Sequence, residues 1–248
     1  MDKVMLITGA SRGIGAAIAE LASQKGYAVA INYRNNHKQA EELCSKIKSQ
    51  GGKAITVQGD VSIESDVLRI FSETLTAFGS LHSLVNNAGI IAPLARLEDF
   101  DRARLARIFA VNVIGSFLCA KQAVKHMSLL HGGKGGSIIN ISSIASRLGS
   151  PNEFIDYAAT KGAIDTMTIG LAKEVATEGI RVNAVRPGLI ETDMHADTGD
   201  AERAEKLKKS IPLKRIGLPE EIARSVIWLD SEAASYVTGS ILDVSGGR

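Results

Sequence analysis

The chain predicts an α/β fold: a doubly wound, seven-stranded parallel sheet with helices on both faces, three layers in all. Three observations predict it. Seven short β-prone runs alternate with helical patterns, an order that implies parallel strands joined by right-handed crossovers. The first strand passes straight into a glycine-rich turn and then a helix. Across its 248 residues the chain uses 24 glycines and only 5 prolines, which suits many tight turns between strand and helix.

The elements follow in order. Val4–Thr8 is an apolar run. After it come Gly9-Ala-Ser-Arg-Gly13-Ile-Gly15 and a helix in which Ile14, Ile18, Leu21 and Ala22 recur at helical spacing. Further strands are predicted at Ala28–Asn32, Ala54–Gln58, Ser83–Asn86, Ser137–Ile141, Arg181–Val185 and Ile241–Val244. Between them lie helical patterns over Lys38–Gln50, Glu64–Phe78, Asp101–His126, Tyr157–Glu178 and Pro219–Asp230. The run His131–Gly136 is rich in glycine but leads into a strand, so it reads as a helix stop and not a phosphate cradle. Leu148–Ile155 and Leu189–Ile216, the latter with the charged stretch Ala201–Lys209, are loop-rich. Loops at the C-terminal ends of parallel strands line the ligand crevice, so these two are expected to shape a substrate site. Repeats, low-complexity stretches and linkers are lacking, and the expectation is one domain over residues 1–248.

Composition narrows the function. Lys plus Arg number 29 against 27 for Asp plus Glu, interspersed along the chain, so nothing calls for nucleic acid or an anionic membrane as partner. No apolar stretch is expected to approach the ~18 residues of a membrane span, and Met1-Asp2-Lys3 leads into the first strand without a signal peptide. A cytosolic protein is expected. Cys44 and Cys119 stand far apart with no C-x-x-C, as ordinary thiols of a reducing compartment do. The five histidines show no metal-ligand spacing, so no metal site is predicted.

Two motifs carry chemistry. Glycines between a strand and a helix let the backbone approach a pyrophosphate, and the helix N-terminus offers free N–H groups and partial positive charge. Tyr157-Ala-Ala-Thr-Lys161 sets a phenol and an ammonium four residues apart, on one face of a helix. A neighbouring cation favours the phenolate, which is the way a tyrosine becomes a usable acid or base near neutrality.

Read in order, the chain resembles the short-chain dehydrogenase/reductase family over its whole length. The resemblance rests on Thr8–Gly15, Asp60-Val61, Asn86-Asn-Ala-Gly89, Asn112, Ser143, Tyr157 with Lys161, and Arg186-Pro-Gly188 followed by Thr192. It implies a Rossmann-type domain that binds a nicotinamide cofactor and moves a hydride between that cofactor and a carbonyl or secondary alcohol. It implies Tyr157 as proton donor or acceptor, Lys161 as the group that lowers the tyrosine pKa and bonds the nicotinamide ribose, Ser143 as the donor that polarises the substrate oxygen, and Asn112 as the holder of a water linking Lys161 to solvent. Ser142 adjoins Ser143, and strand alternation points the two to opposite sides. The interval from Ser143 to Tyr157 is one residue longer than is usual in the family, which directs attention to the loop Ser146–Asp156.

For the cofactor, the resemblance implies contacts from Gly9, Ser11, Arg12, Gly13, Ile14 and Gly15. Asp60 and Val61 would flank the adenine, and Asn86, Ala88 and Gly89 would pass beneath its ribose. Asp60 equally suits a cap for the helix beginning near Ser62. Pro187, Gly188 and Thr192 would hold the nicotinamide end. The second strand ends Asn32-Tyr33-Arg34 with no acid to bond both ribose hydroxyls. Arg12 and Arg34 instead suit a 2′-phosphate, so NADP(H) is expected over NAD(H), with dual use open. A sugar dehydrogenase of the glucose 1-dehydrogenase type or a general carbonyl reductase, and a 3-oxoacyl thioester reductase acting on an acidic carrier protein, fit the same pattern. Lys121, Lys125, Lys134 and Lys173 could give the latter a basic patch. A non-catalytic dinucleotide sensor is a remote third. The family resemblance also implies a homotetramer joined through the two long helices. Ser245 stands where the family often has an acid.

Overall fold

The computed structural model describes residues 3–192 and 208–248. Seven strands form one all-parallel sheet: β1 (Val4–Ile7), β2 (Ala28–Tyr33), β3 (Lys53–Gln58), β4 (Ser83–Asn86), β5 (Gly136–Ile141), β6 (Ile180–Pro187) and β7 (Ile241–Val244), in the order β3-β2-β1-β4-β5-β6-β7. The expected doubly wound sheet is therefore present. Chain order reverses between β1 and β4, and ligand crevices of such sheets open at that place. The helices are α1 (Gly13–Gln24), α2 (His37–Ser49), α3 (Glu64–Phe78), α4 (Arg102–Phe109), α5 (Gly115–Met127), α6 (Ala145–Leu148), α7 (Ile155–Glu174) and α8 (Pro219–Asp230).

Strand alternation sorts the core into two layers. Met5, Ile7, Val29, Ile31, Ile139 and Val185 point to the face covered by α1, α2 and α8. Val4, Leu6, Leu84, Ile138 and Val182 point to the other, against α3, α5 and the end of α7. Both faces of the central strands are buried, which is why β1 and β2 read as unbroken apolar runs and not as alternating ones.

Two expectations need correction. The predicted helix Asp101–His126 is three pieces: α4 and α5 are joined by a single π-helical turn, Ala110–Ile114, that carries Asn112. Such turns are frequent at functional sites. That continuous helix, Arg102–Met127, is also long and apolar enough to cross a membrane by length and composition alone. Sequence reading passes over it because the run from Ile108 to Ala120 is bounded by Arg107 and Lys121. Here its Val111, Cys119, Ala123 and Met127 are core residues beneath the sheet.

Candidate active site

The glycine turn is built by close packing. Gly9 has φ +61°, and a Cβ there would lie 2.9 Å from the Ala88 Cα, so only glycine lets the two loops touch. The Asn87 amide donates to the carbonyls of Thr8 (2.9 Å) and Gly9 (3.0 Å), while the Thr8 hydroxyl accepts from the backbone N–H groups of Asn87 and Ala88. Asn32, buried at the end of β2, accepts from Gly9 N–H and donates to the carbonyls of Val57 and Gly59. The ends of β1, β2, β3 and β4 are thereby fixed to one another. Helix α1 starts at Gly13 with no acid in its first turn and no side-chain cap, so its positive end is left uncompensated by carboxylate.

A cleft of about 770 Å³ runs along this edge. At one end lie Arg12, Gly13, Arg34, Asp60 and Val61; at the other lie Ser143, Tyr157, Lys161, Pro187, Gly188 and Thr192. Arg34 is half exposed and faces Asp60 at 3.5 Å, and Arg107 of α4 approaches the same carboxylate at 3.6 Å. Asp60 also accepts from the N–H and hydroxyl of Ser62, closing a tight turn; it is not the helix cap expected, because α3 starts only at Glu64 with Ile63 at its N-cap.

At the far end Ser143 and Tyr157 both line the cleft, and the serine hydroxyl acts on the phenol. Ser143 also accepts from Ala145 N–H at 3.1 Å, whereas the Ser142 hydroxyl turns away to the Lys161 carbonyl. The two hydroxyls thus have different partners, although both serines lie just beyond the end of β5 and both line the cleft, so strand alternation does not separate them. Lys161 is buried, 4% exposed, and its Nζ donates to the Ile141 carbonyl at 2.7 Å. Burial pulls this ammonium down to about 8, while Asp165, one helical turn on, acts in the opposite direction. The expected lowering of the tyrosine is not what dominates. Burial pushes the Tyr157 phenol up to about 12, and the Ser143 hydroxyl opposes that rise. The physical reason is burial of the phenol, while the Lys161 ammonium donates to the Ile141 carbonyl and sits 5.6 Å from the tyrosine ring centroid.

Asn112 is 1% exposed on the π turn. Its amide accepts from Ile90 N–H (2.8 Å) and donates to the Ile90 carbonyl (3.0 Å) and the Thr160 hydroxyl (3.1 Å). It braces the loop after β4 against the turn of α7 between Tyr157 and Lys161. The start of α7 is held by Asp156, which is buried, accepts from Tyr157 N–H, and is gripped by Arg104 of α4 at 2.7 and 3.3 Å. Ahead of it, Ser150 and Asn152 both adopt left-handed backbone (φ +46° and +61°), within the segment to which the one-residue-longer interval directs attention.

Most residues singled out from sequence come together in this one cleft. Gly9, Ser11, Ile14, Gly15, Ala88 and Gly89 line it with those already named. Asn86 does not. It is 4% exposed and spends its amide on the Asn140 side chain and the Ser116 carbonyl, while its neighbour Asn87 reaches the cleft. Sequence reasoning misses Asn87 because the turn after Asn86 reverses which asparagine faces outward. Phe154, Leu189 and Ile190 also line the cleft, from the two loops expected to shape a substrate site, whereas Arg248 was not singled out from sequence. Ser245 packs on Gly188, whose Cβ would lie 2.7 Å from the Ser245 Cα. The charged part of the predicted substrate loop, from 201 to 207, lies outside the described residues.

A model of the family described as enoyl-(acyl carrier protein) reductase matches residues 9–248. A solved short-chain dehydrogenase/reductase from Serratia marcescens superposes with a TM-score of 0.92 at 34% identity, over 99% of this chain and 97% of that one. The chain belongs to the short-chain dehydrogenase/reductase family. It is an oxidoreductase of a family that uses NAD(H) or NADP(H). Among family members, it is 50% identical over 245 residues to the oxidoreductase YgfF of Escherichia coli K12, with 99% of each chain covered. It is 41% identical to glucose 1-dehydrogenase 2 of Bacillus subtilis 168, over 99% of this chain and 94% of that protein.

Proposed function

We propose that this short-chain dehydrogenase/reductase is one domain that transfers a hydride between NADP(H), preferred over NAD(H), and a small carbonyl or secondary alcohol. The substrate class favoured is that of a sugar dehydrogenase of the glucose 1-dehydrogenase type or a general carbonyl reductase. The carrying observation is that the Ser143–Tyr157 hydroxyl pair and buried Lys161 stand at one end of the cleft whose other end is the glycine turn flanked by Arg12 and Arg34.

The cofactor fits that cleft: the glycine turn allows close backbone approach, and the uncapped α1 N-terminus with two guanidinium groups suits phosphates. When bound, it supplies or takes up the hydride. The protein's own residues handle the oxygen. Ser143 donates a hydrogen bond to it as negative charge builds, and Tyr157 delivers the proton in reduction or removes it in oxidation. With its phenol raised by burial, Tyr157 stays protonated at neutral pH, the form that reduction requires. Lys161 holds positive charge beside the phenol and would bond the cofactor's ribose, Asn112 supports the segment beside them, and Thr192 would hold the carboxamide end. Phe154, Leu189 and Ile190 exclude water.

A 3-oxoacyl thioester reductase is the second reading, favoured by the carrier-protein substrate in the matched family's description. The basic patch it wants is thinned by Lys121, which is tied to Glu64 at 2.9 Å. A cytosolic homotetramer is part of the proposal, supported by the apolar Ile114, Phe117 and Ile169 exposed on the long helices. The test is consumption of NADPH and NADH with aldehydes, diketones and an acetoacetyl thioester, together with glucose and oxidised cofactor in reverse. Turnover of glucose or simple carbonyls with NADPH is expected. Preference for the thioester establishes the second reading, and faster turnover with NADH overturns the role given to Arg12 and Arg34.

A further inference from the structure

At the Arg34 end of the cleft one carboxylate oxygen is shared by two guanidinium groups from different elements. The Asp60 side chain, just beyond β3, is 15% exposed. Its Oδ1 is spent on the Ser62 N–H (3.0 Å) and hydroxyl (2.6 Å), which leaves Oδ2 to the cations. Nη1 of Arg34, just past β2, stands 3.5 Å from that oxygen, and Nη1 of Arg107, on α4, stands 3.6 Å from it. Asp60 and Arg34 line the cleft; Arg107 does not.

The backbone under this cluster is pinned, so it is the side chains that can exchange partners. Gln58 donates to the Arg34 carbonyl at 3.1 Å, and Asp66 accepts from the Asp60 N–H at 2.8 Å. Arg69, a neighbouring cation, is committed to Asp66 and to the Gln58 carbonyl. The Arg34 side chain is 47% exposed, and its contacts are long, 3.3 Å to Asn35 and 3.5 Å to Asp60. It is held but not locked.

A guanidinium cannot give its fork to a 2′-phosphate while it serves a carboxylate. Drawing Arg34 away takes a cation from a largely shielded anion, and that cost falls on the ligand that draws it. A second cation on the same oxygen lowers the cost, because Asp60 keeps a partner when Arg34 leaves. Arg107 is that second cation. Its helix is fixed independently, since Arg104, three residues earlier on α4, grips Asp156 at the head of α7.

We propose that Arg107 is a positioning residue for cofactor choice: by holding Asp60 it releases Arg34 to the 2′-phosphate of NADP(H), and so sets the preference over NAD(H). This rests on the NADP(H) reading proposed above, in which Arg12 and Arg34 meet that phosphate.

The test is fluorescence titration of NADPH and NADH binding, read as the ratio of the two dissociation constants. In Arg107→Met, NADPH binding weakens by about threefold or more while NADH binding stays within about twofold, because NADH asks nothing of Arg34. Arg107→Lys keeps the charge and recovers most of the ratio. Loss of a merely structural support would weaken both cofactors alike. Loss of a distant positive charge would also weaken NADPH, and a double-mutant cycle separates that effect. In an Asp60→Asn background no carboxylate holds Arg34, so adding Arg107→Met leaves the ratio unchanged. A ratio unmoved by Arg107→Met alone, or a shift that persists in full beside Asp60→Asn, overturns the inference; a ratio that collapses in Arg34→Met then leaves the NADP(H) reading standing. A ratio that Arg34→Met does not lower overturns that reading, and the inference with it.

Discussion

Replacing Arg104 with methionine isolates what holds the tyrosine-bearing helix in place. The Asp156 carboxylate is fully buried and Arg104 is 14% exposed, so the pair is largely shielded from water. The guanidinium makes two bonds to Asp156 and one to the Pro93 carbonyl at 2.7 Å, and lies 4.0 Å from the Phe100 ring centroid. Methionine keeps most of the apolar stem but leaves the carboxylate with only the Tyr157 N–H. Breaking one side of a buried pair costs roughly 3–5 kcal/mol, mostly as the penalty on the charge left behind. Loss of the ring contact adds about 0.5–1 kcal/mol. The expected destabilisation is therefore about 4 kcal/mol, read as a lowered urea midpoint at fixed protein concentration. If uncompensated charge is the cause, Asp156→Asn in the same chain recovers more than half of the loss. A single variant within about 1 kcal/mol of wild type, or a double variant as unstable as the single, refutes the reasoning.

Gly9→Ala demands left-handed backbone of a residue with a Cβ and sets that atom 2.9 Å from Ala88, so a loss of roughly 2 kcal/mol or more and a matching loss of NADPH binding are expected by urea unfolding and fluorescence titration. Stability of the cofactor-free protein rises as pH increases from about 8 toward 10. Lys161 in the fold has released its proton by then, whereas in the unfolded chain it holds it until ~10.4, so the unfolded state binds more protons; the rise, up to about 3 kcal/mol, vanishes in Lys161→Met. Above pH ~10 the slope reverses, because buried Tyr157 keeps a proton that the unfolded chain gives up. Cys119, fully buried and pushed up to about 12, resists alkylation by iodoacetamide at pH ~8 in the native protein and reacts once urea unfolds it; mass spectrometry reads the difference.

The sheet was legible because both-face burial leaves apolar runs, and because glycine stands where backbone crowds backbone, as at Gly9 against Ala88. Tyr157, Lys161 and Ser143 were legible for a similar reason: their spacing along one helix and one strand is local geometry. What stayed hidden depends on partners far apart in the chain. Nothing near Asp165 announces Arg186, and nothing near Asp156 announces Arg104, since those pairs exist only once α7 packs on β6 and α4. The choice of Asn86 over Asn87 failed on a single turn that reverses direction after β4. The π turn at Asn112 escaped because its apolar neighbours keep ordinary helical spacing while one extra residue is looped into the ladder. The lowering expected at Tyr157 considered charge alone, and burial proved the larger effect.

The most direct measurement compares wild type and Tyr157→Phe under single turnover, with saturating NADPH and a carbonyl that wild type reduces, beside a titration of NADPH binding. With Tyr157 as proton donor, the Tyr157→Phe variant binds NADPH within a few-fold of wild type while hydride transfer slows by about 10²–10⁴. Transfer at near wild-type rate in that variant would contradict the account at its centre.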